Sequence, residues 1–223
     1  MIKAILFDFW GTLVEQGLHS PLKELHQIFC PRTPFSEFVI KAEKAMMISV
    51  YPSFKEMFLS LENEFNYPLS EEFRDNLIGF WNKNWMLAHP YPETEAILKE
   101  LKESHALALI SNTDCISIER VMEKFSLKQI FDKIFLSYKL GLIKSEPEFL
   151  KTALEELKLE KEDVLVVGDS LQSDIYPAKK MGIKAILVDR KNKRDYELKI
   201  TSLNELPELI KRLNKNAAEL KGN

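Results

Sequence analysis

Four polar clusters, each closing a short apolar run, hold the residue types that can carry covalent chemistry on this chain. Asp8 follows the run 2–7 and stands where a carboxylate can attack an electrophile. Such an attack forms a covalent intermediate and splits one difficult step into two. Gly11 lets the backbone turn closely beneath it, and Thr12 can orient or anchor that turn. Ser111 and Asn112 close the run 106–110, where a hydroxyl and exposed backbone N–H groups can hold an oxyanion. Lys144, in Gly141-Leu-Ile-Lys-Ser-Glu-Pro-Glu-Phe, offers a point charge able to neutralise a carboxylate–phosphoryl pair. Asp169 and Asp174 surround the loop after the run 164–167, and two carboxylates about one loop suit a hard cation such as Mg²⁺. Taken singly, each has a plainer reading: a turn cap, two loop residues, a surface lysine, and acids welcome near a helix start. The set changes that, because all the clusters lie at the ends of apolar runs that one crevice can gather.

The elements that must position these residues follow from the same runs. Residues 2–7, 106–110, 164–167 and 185–188 are nearly all apolar and read as parallel strands buried on both faces, with a further strand around 134–137. Helical patterns lie between and after them at 93–103, 116–125, 148–157 and 174–181. The alternation predicts an α/β fold, a Rossmann-like three-layer core with a central parallel sheet and right-handed crossovers. In such sheets ligands bind beyond the carboxyl ends of the strands. Residues 15–91 break the pattern. They show no convincing strand, and apolar residues recur at helical spacing: Phe35, Phe38, Val39, Ala42; Phe54, Met57, Phe58, Leu61; Phe73, Leu77, Phe80, Trp81. The organisation expected is a catalytic core of 1–14 and 92–223 with a small all-helical cap of 15–91. The aromatic residues of the cap, Trp85 among them, read as internal packing, the alternative being an apolar lid that excludes water. His89, near the return of the insert, can approach the site, and the tail after Leu213 is expected to fray.

Composition narrows the function classes. A net charge of −3 over 223 residues leaves no footprint for nucleic acid. Cys30 and Cys115 cannot build a disulfide framework or a metal knuckle. No stretch approaches the roughly 20 apolar residues of a membrane span, and the first apolar run ends at Asp8, too soon for a secretory leader. A cytoplasmic protein acting on a small molecule is the expectation; oligomeric state is not readable.

In order and position the clusters resemble the four motifs of the haloacid dehalogenase-like superfamily. Asp8 matches the nucleophile, Ser111 the second motif, Lys144 the third, and Asp169 with Asp174 the fourth. The later stretch from Ser202 to Leu209 is similar to the ends of such chains, and the insert resembles the helical cap that follows the first motif. The resemblance implies catalysis by Asp8 and Lys144, with substrate held by Thr12, Ser111, Asn112 and Lys144. It implies Mg²⁺ bound by Asp8, the Trp10 backbone carbonyl, Asp169 and Asp174.

The chain departs from the pattern at Trp10. Phosphatases of the superfamily carry there a second aspartate that protonates the leaving oxygen, and indole is no acid near neutral pH. Losing a general acid forfeits about 10²–10⁴ in rate. Haloacid dehalogenases carry an aromatic residue at this position, because halide leaves without a proton. The fourth motif points the other way. Dehalogenases resemble Ser-x-Asn-x-x-Asp there and use no metal, whereas this chain has Asp169 and Leu171 at the first two positions. An additional carboxylate beside Asp8 suffers like-charge repulsion unless a cation is present. Dehalogenases also hold halide with a cap arginine, and the insert offers only Arg32 and Arg74. The balance favours a Mg²⁺-dependent phosphatase of a small phosphorylated metabolite with a compromised acid–base step. The alternatives are a metal-independent 2-haloacid dehalogenase and a catalytically silent phospho-ligand-binding protein.

Overall fold

A computed structural model describes residues 1–15 and 20–219. In chain order the elements begin with β1 (Ala4–Phe7) and β2 (Val14–Glu15). The insert follows as α1 (Pro21–Phe29), α2 (Phe35–Met47), α3 (Phe54–Phe65) and α4 (Glu71–Leu87), and β3 (His89–Pro90) returns the chain. Then come α5 (Thr94–Lys102), β4 (Ala106–Ser111), α6 (Ser117–Lys124), β5 (Lys133–Leu136), α7 (Ser137–Leu140) and α8 (Pro147–Leu157). The last are β6 (Val164–Gly168), α9 (Tyr176–Lys180), β7 (Lys184–Val188), β8 (Lys199–Ile200) and α10 (Leu206–Glu219).

Six of the strands form one parallel sheet in the order β5-β4-β1-β6-β7-β8. The chain builds outward from β1 to one edge, then returns and builds to the other. The direction of winding therefore reverses between β1 and β6, which is where open α/β sheets place a ligand crevice. Period-two alternation fills both faces. Ile5, Phe7, Leu109 and Val167 pack with α5, α6 and α10 on one side, while Leu6, Ile110 and Val166 pack with Phe149 and Leu150 of α8 on the other. Each large side chain withdrawn from water this way contributes about 1.5–3 kcal/mol. The layers hold the strand ends rigidly, and Phe7 registers with Leu109 and Val167, so Asp8 emerges between the ends of β4 and β6.

Helices α1 to α4 bury a core of their own, including Leu25, Phe38, Met46, Phe58 and Trp81. Ser53 starts α3 by accepting from the Lys55 N–H, and Asn66 ends it in the left-handed conformation. Several expectations are corrected. The spacing did not mark α1 or β8. The insert is not wholly without strand, since Val14 and Glu15 pair antiparallel with Pro90 and His89 at its base. The buried face of α4 is Arg74, Leu77, Trp81 and Asn84, one residue on from the Phe73 and Phe80 expected. The cause is Glu62 of α3, which meets the Arg74 guanidinium at 2.5 and 2.8 Å and turns Phe73 outward, 42% exposed. Finally, α10 runs on to Glu219 instead of fraying after Leu213; residues 220–223 lie outside the described residues. No helix among the described residues is long and apolar enough to cross a membrane.

Candidate active site

Asp8 lies one residue past β1, its backbone N–H donating to the Val167 carbonyl at 2.9 Å. The loop that follows is tied to the core by Arg190, which donates to the Thr12 carbonyl at 2.7 Å and to Glu93 at 2.8 Å. With the loop fixed, the Thr12 hydroxyl donates to one oxygen of Asp8 at 2.9 Å, and the Lys144 ammonium donates to the other at 2.6 Å. Lys144 also donates to Asp174 at 2.5 Å. Asp174 is delivered by a wide, π-type turn over Leu171–Ile175, in which the N–H groups of Asp174 and Ile175 both reach the Ser170 carbonyl. Such turns recur at functional sites. Its second oxygen accepts from the Ser170 N–H at 2.9 Å.

Two glycines make this closeness possible. A Cβ at Gly168 would lie 2.3 Å from the Asp174 carboxyl carbon. Gly11 takes a φ of +81°, and a Cβ there would lie 2.5 Å from an oxygen of Asp169. Any side chain at either position would occupy the space that the carboxylates fill.

One oxygen from each of Asp8, Asp169 and Asp174 lies within 4.8 Å of the others. Crowding and burial act on Asp8 and Asp169. Burial pushes the Asp8 carboxyl up to about 6, the Asp174 charge adding to it and Lys144 opposing. Burial pushes Asp169 up to about 8, reinforced by the charges of Asp8 and Asp174. Burial works against the charge of Lys144, yet Asp174 and Asp8 beside it hold it protonated above the usual lysine range. Lys144, with Arg194 beside Asp169, thus faces three acids, an imbalance that a further cation relieves.

A cavity of about 430 Å³ opens between this cluster and the helical insert. Asp8, Trp10, Asn112, Lys144 and Asp169 reach its wall. Thr12, Ser111 and Asp174 are fully buried behind it. The structure therefore brings all eight sequence-predicted residues together, five at the surface of the cavity and three supporting it. Among the described residues, the Ser111 hydroxyl has no hydrogen-bond partner. Asn112 accepts from the Lys144 backbone N–H at 2.9 Å and so fixes the lysine loop. The Trp10 indole donates to the Thr113 hydroxyl at 3.1 Å, which commits its one polar hydrogen.

The insert supplies the facing wall. Phe35, Val39, Met47, Trp81 and Trp85 line it, so the cap aromatics divide: Phe38, Phe54 and Phe58 pack internally, while Phe35, Trp81 and Trp85 face the cavity. Neither insert arginine lines it. Arg74 is held by Glu62 and Arg32 is exposed. His89 is exposed as well and meets Glu15 at 3.2 Å.

Among the polar wall residues that escaped the sequence reading are Arg194, Asn84 and Glu43. Arg194 donates to the Asp169 carbonyl. Asn84 has a side-chain oxygen with no partner among the described residues. Glu43 of α2 is buried, accepting from Asn112 at 2.8 Å and from the Ser173 hydroxyl at 3.1 Å. Glu43 did carry a signal, since it falls inside the apolar stripe Val39, Ala42 and Met46, where a charge has to have a partner.

The comparisons agree with this geometry. A glyceraldehyde 3-phosphate phosphatase of Methanocaldococcus jannaschii is 32% identical over 148 residues, covering 63% of this chain and 64% of that enzyme. A phosphoglycolate phosphatase of Aquifex aeolicus is 26% identical over 83% of this chain and 84% of its own length. The first match thus spans less than two thirds of the relative's length. Among solved structures, a 2-haloacid dehalogenase from Pseudomonas syringae superposes with a TM-score of 0.62 at 20% identity, covering 96% of this chain and 100% of the other. A HAD phosphatase from Thermococcus onnurineus gives 0.61 at 23% identity, covering 94% and 98%. Two activities on one fold show that the superpositions speak to architecture alone. The sequence profile of haloacid dehalogenase-like hydrolases matches residues 5–188, and with the strand-end cluster in place the chain belongs to that family.

Proposed function

We propose that the protein is a Mg²⁺-dependent phosphatase acting on a small phosphorylated metabolite, with the insert over 15–91 as a helical cap on a core of 1–14 and 92–223. The observation that carries this reading is the cluster of Asp8, Asp169 and Asp174, with Lys144 paired to the first and last of them. Its oxygen donors suit a hard divalent cation, and the cradle left by Gly11 and Gly168 admits the carboxylates closely. Asp8, Asp169, Asp174 and the Trp10 carbonyl would hold the ion. When bound, it neutralises the approach of an anionic phosphoryl group to the carboxylates.

The chain's own residues do the rest. An Asp8 oxygen attacks phosphorus, and an aspartyl phosphate forms as the ester oxygen departs. Thr12 orients the attacking carboxylate. Lys144 donates to Asp8 in the resting protein and neutralises charge on the phosphoryl group during transfer. Asn112 lines the cavity, and the partnerless Ser111 hydroxyl buried behind it is a donor still free for a phosphoryl oxygen that reaches the end of β4. Water then attacks the acyl phosphate and regenerates Asp8. The curated relatives named above as phosphatases act on small phosphate esters, and a cytoplasmic enzyme of metabolism fits the same class.

Trp10 is the one feature that favours a haloacid dehalogenase, but neither insert arginine lies in the cavity to hold halide. The test is a panel of small phosphate esters with Mg²⁺ and after EDTA treatment, run beside a 2-haloacid. Hydrolysis that EDTA silences and Mg²⁺ restores is expected. Halide release without metal, or phosphatase activity indifferent to EDTA, would overturn the reading.

A further inference from the structure

Asp8 attacks phosphorus in line, so the departing oxygen must point away from β1, across the cavity towards the insert. Trp10 cannot give that oxygen a proton, because its indole N–H is engaged by Thr113. The acids on the cavity wall are Asp8, Asp169, Asp114 and Glu43. The first two belong to the carboxylate cluster. Asp114 belongs to the core, and its carboxyl is committed to three donors, the Trp81 indole at 3.2 Å and the N–H groups of Ile116 and Ser117 at 3.0 and 2.7 Å. Glu43 alone stands outside the cluster, on the insert side, with its carboxyl in the wall and no cation bonded to it among the described residues.

We propose that Glu43 is the proton donor to the leaving oxygen, supplied from the insert in place of the acid that Trp10 displaces. This rests on the phosphatase reading and deepens it. As the phosphorus–oxygen bond breaks, its electron pair goes to the ester oxygen, which takes the proton of the Glu43 carboxyl and leaves as an alcohol. Glu43, now a carboxylate, takes a proton from the water that attacks the aspartyl phosphate. Inorganic phosphate, ionised Asp8 and protonated Glu43 result, so protons and charge balance over the cycle.

The surroundings of Glu43 keep it suited to that task. Burial pushes its carboxyl up to about 7, outweighing Lys144 and the hydrogen bonds from Asn112 and Ser173, which oppose it, with Asp174 adding to the rise. An acid needed at neutral pH has to be partly protonated there. The other charged groups facing the cavity are Lys23 of the insert and Arg194 of the core; Lys44, next along α2, pairs with Glu146 at 2.7 Å. The accepting groups of Glu43 are hydrogen-bonded to Asn112, which itself fixes the Lys144 loop, and to Ser173, next to Asp174. A cap helix that closes the cavity thereby delivers the acid and the substrate wall together.

The experiment compares Glu43→Gln with the wild type under saturating Mg²⁺, using p-nitrophenyl phosphate, phenyl phosphate and a simple alkyl phosphate. A good leaving group needs no proton. Glu43→Gln should lower kcat/KM for the alkyl ester by about 10²–10³-fold and for the p-nitrophenyl ester only a few-fold. Glu43→Asp keeps a carboxyl and should recover part of the alkyl-to-aryl ratio; it also serves if the amide variant does not fold. A merely structural residue would lower all three esters alike. An unchanged alkyl-to-aryl ratio in both variants overturns the role of Glu43 while leaving the phosphatase reading intact. Absence of wild-type turnover on every ester overturns that reading and this role together.

Discussion

In the insert, Glu62 and Arg74 meet one to one through two hydrogen bonds, and the guanidinium holds the Glu62 carboxyl below its ordinary range. At the mouth of β1 and β6, Asp8 and Asp174 share Lys144 with Asp169 crowded against them, and Asp8 and Asp169 are pushed well above theirs. Both clusters are withdrawn from water, yet only the first is balanced. The planar fork of arginine matches a single carboxylate, so the Glu62–Arg74 pair closes on itself and clamps α3 to α4. The core cluster cannot close. Its surplus negative charge is stable only because rigid strand ends impose it, and it is relieved by whatever cation or electrophile the cavity admits. Unfavourable pKa shifts held in place by a scaffold mark a site, whereas favourable ones mark a brace.

The comparison breaks most decisively at Asp8. Asp8→Asn removes the nucleophile while preserving shape, so turnover should fall by about 10⁴-fold or more. The melting temperature should change little, because a crowded charge is lost along with its lysine contact. Near-normal turnover in this variant would end the assignment of Asp8. Arg74→Ala is the opposite case. It strands Glu62 in the insert and should cost about 3–5 kcal/mol of stability, or on the order of 10 °C in Tm for a chain of this size. The kcat of the folded fraction should stay within a few-fold of the wild type at low temperature. If Arg74→Ala instead abolished turnover without lowering Tm, the pair would belong to the site and the contrast would fail.

How much of this was legible in the sequence depends on which link carried the information. The strands of the core announce themselves as apolar runs because both faces are buried, and a polar residue closing such a run can only sit at a strand end. Asp8, Ser111 and Asp169 were therefore readable, whereas Lys144 lies in the loop between α7 and α8, not at a strand end, and was placed by the family resemblance. The insert was readable as helical, but its facing was not. The Phe73 face looked inward until Glu62 and Arg74 reversed it, since a buried ion pair across two helices has no signature in either one alone. Glu43 stood out within its apolar stripe, but its role was missed because its partners Asn112 and Ser173 lie 69 and 130 residues away. Trp10 showed that an acid was lacking, and only the packing of α2 over the strand ends shows what stands opposite it.

The smallest expected effect is also the one that separates the two clusters without any substrate. In metal-free protein, Asp169, Asp8 and Glu43 have folded values of about 8, 6 and 7 against ordinary values of 3.8, 3.8 and 4.5. Between those limits the folded chain binds more protons than the unfolded one. Their stabilising contribution is therefore complete at low pH and is lost as pH rises through the folded values. Glu62 has the reverse slope, since a lowered carboxyl loses its contribution only as pH falls below its ordinary 4.5. From pH 5 to 8 the Glu62–Arg74 pair is flat, and the melting temperature of EDTA-treated protein should decline as pH rises. Mg²⁺ competes with protons for Asp8 and Asp169, so its gain should be larger at pH 8 than at pH 5. At 100 times its dissociation constant it would add about 2.7 kcal/mol, roughly 5–10 °C in Tm. Asp169→Asn should remove most of that gain and flatten much of the metal-free decline, while the share due to Glu43 persists. A melting temperature that climbs from pH 5 to 8 without metal, or ignores Mg²⁺ at pH 8, would mean that the core cluster is as balanced as the pair in the insert.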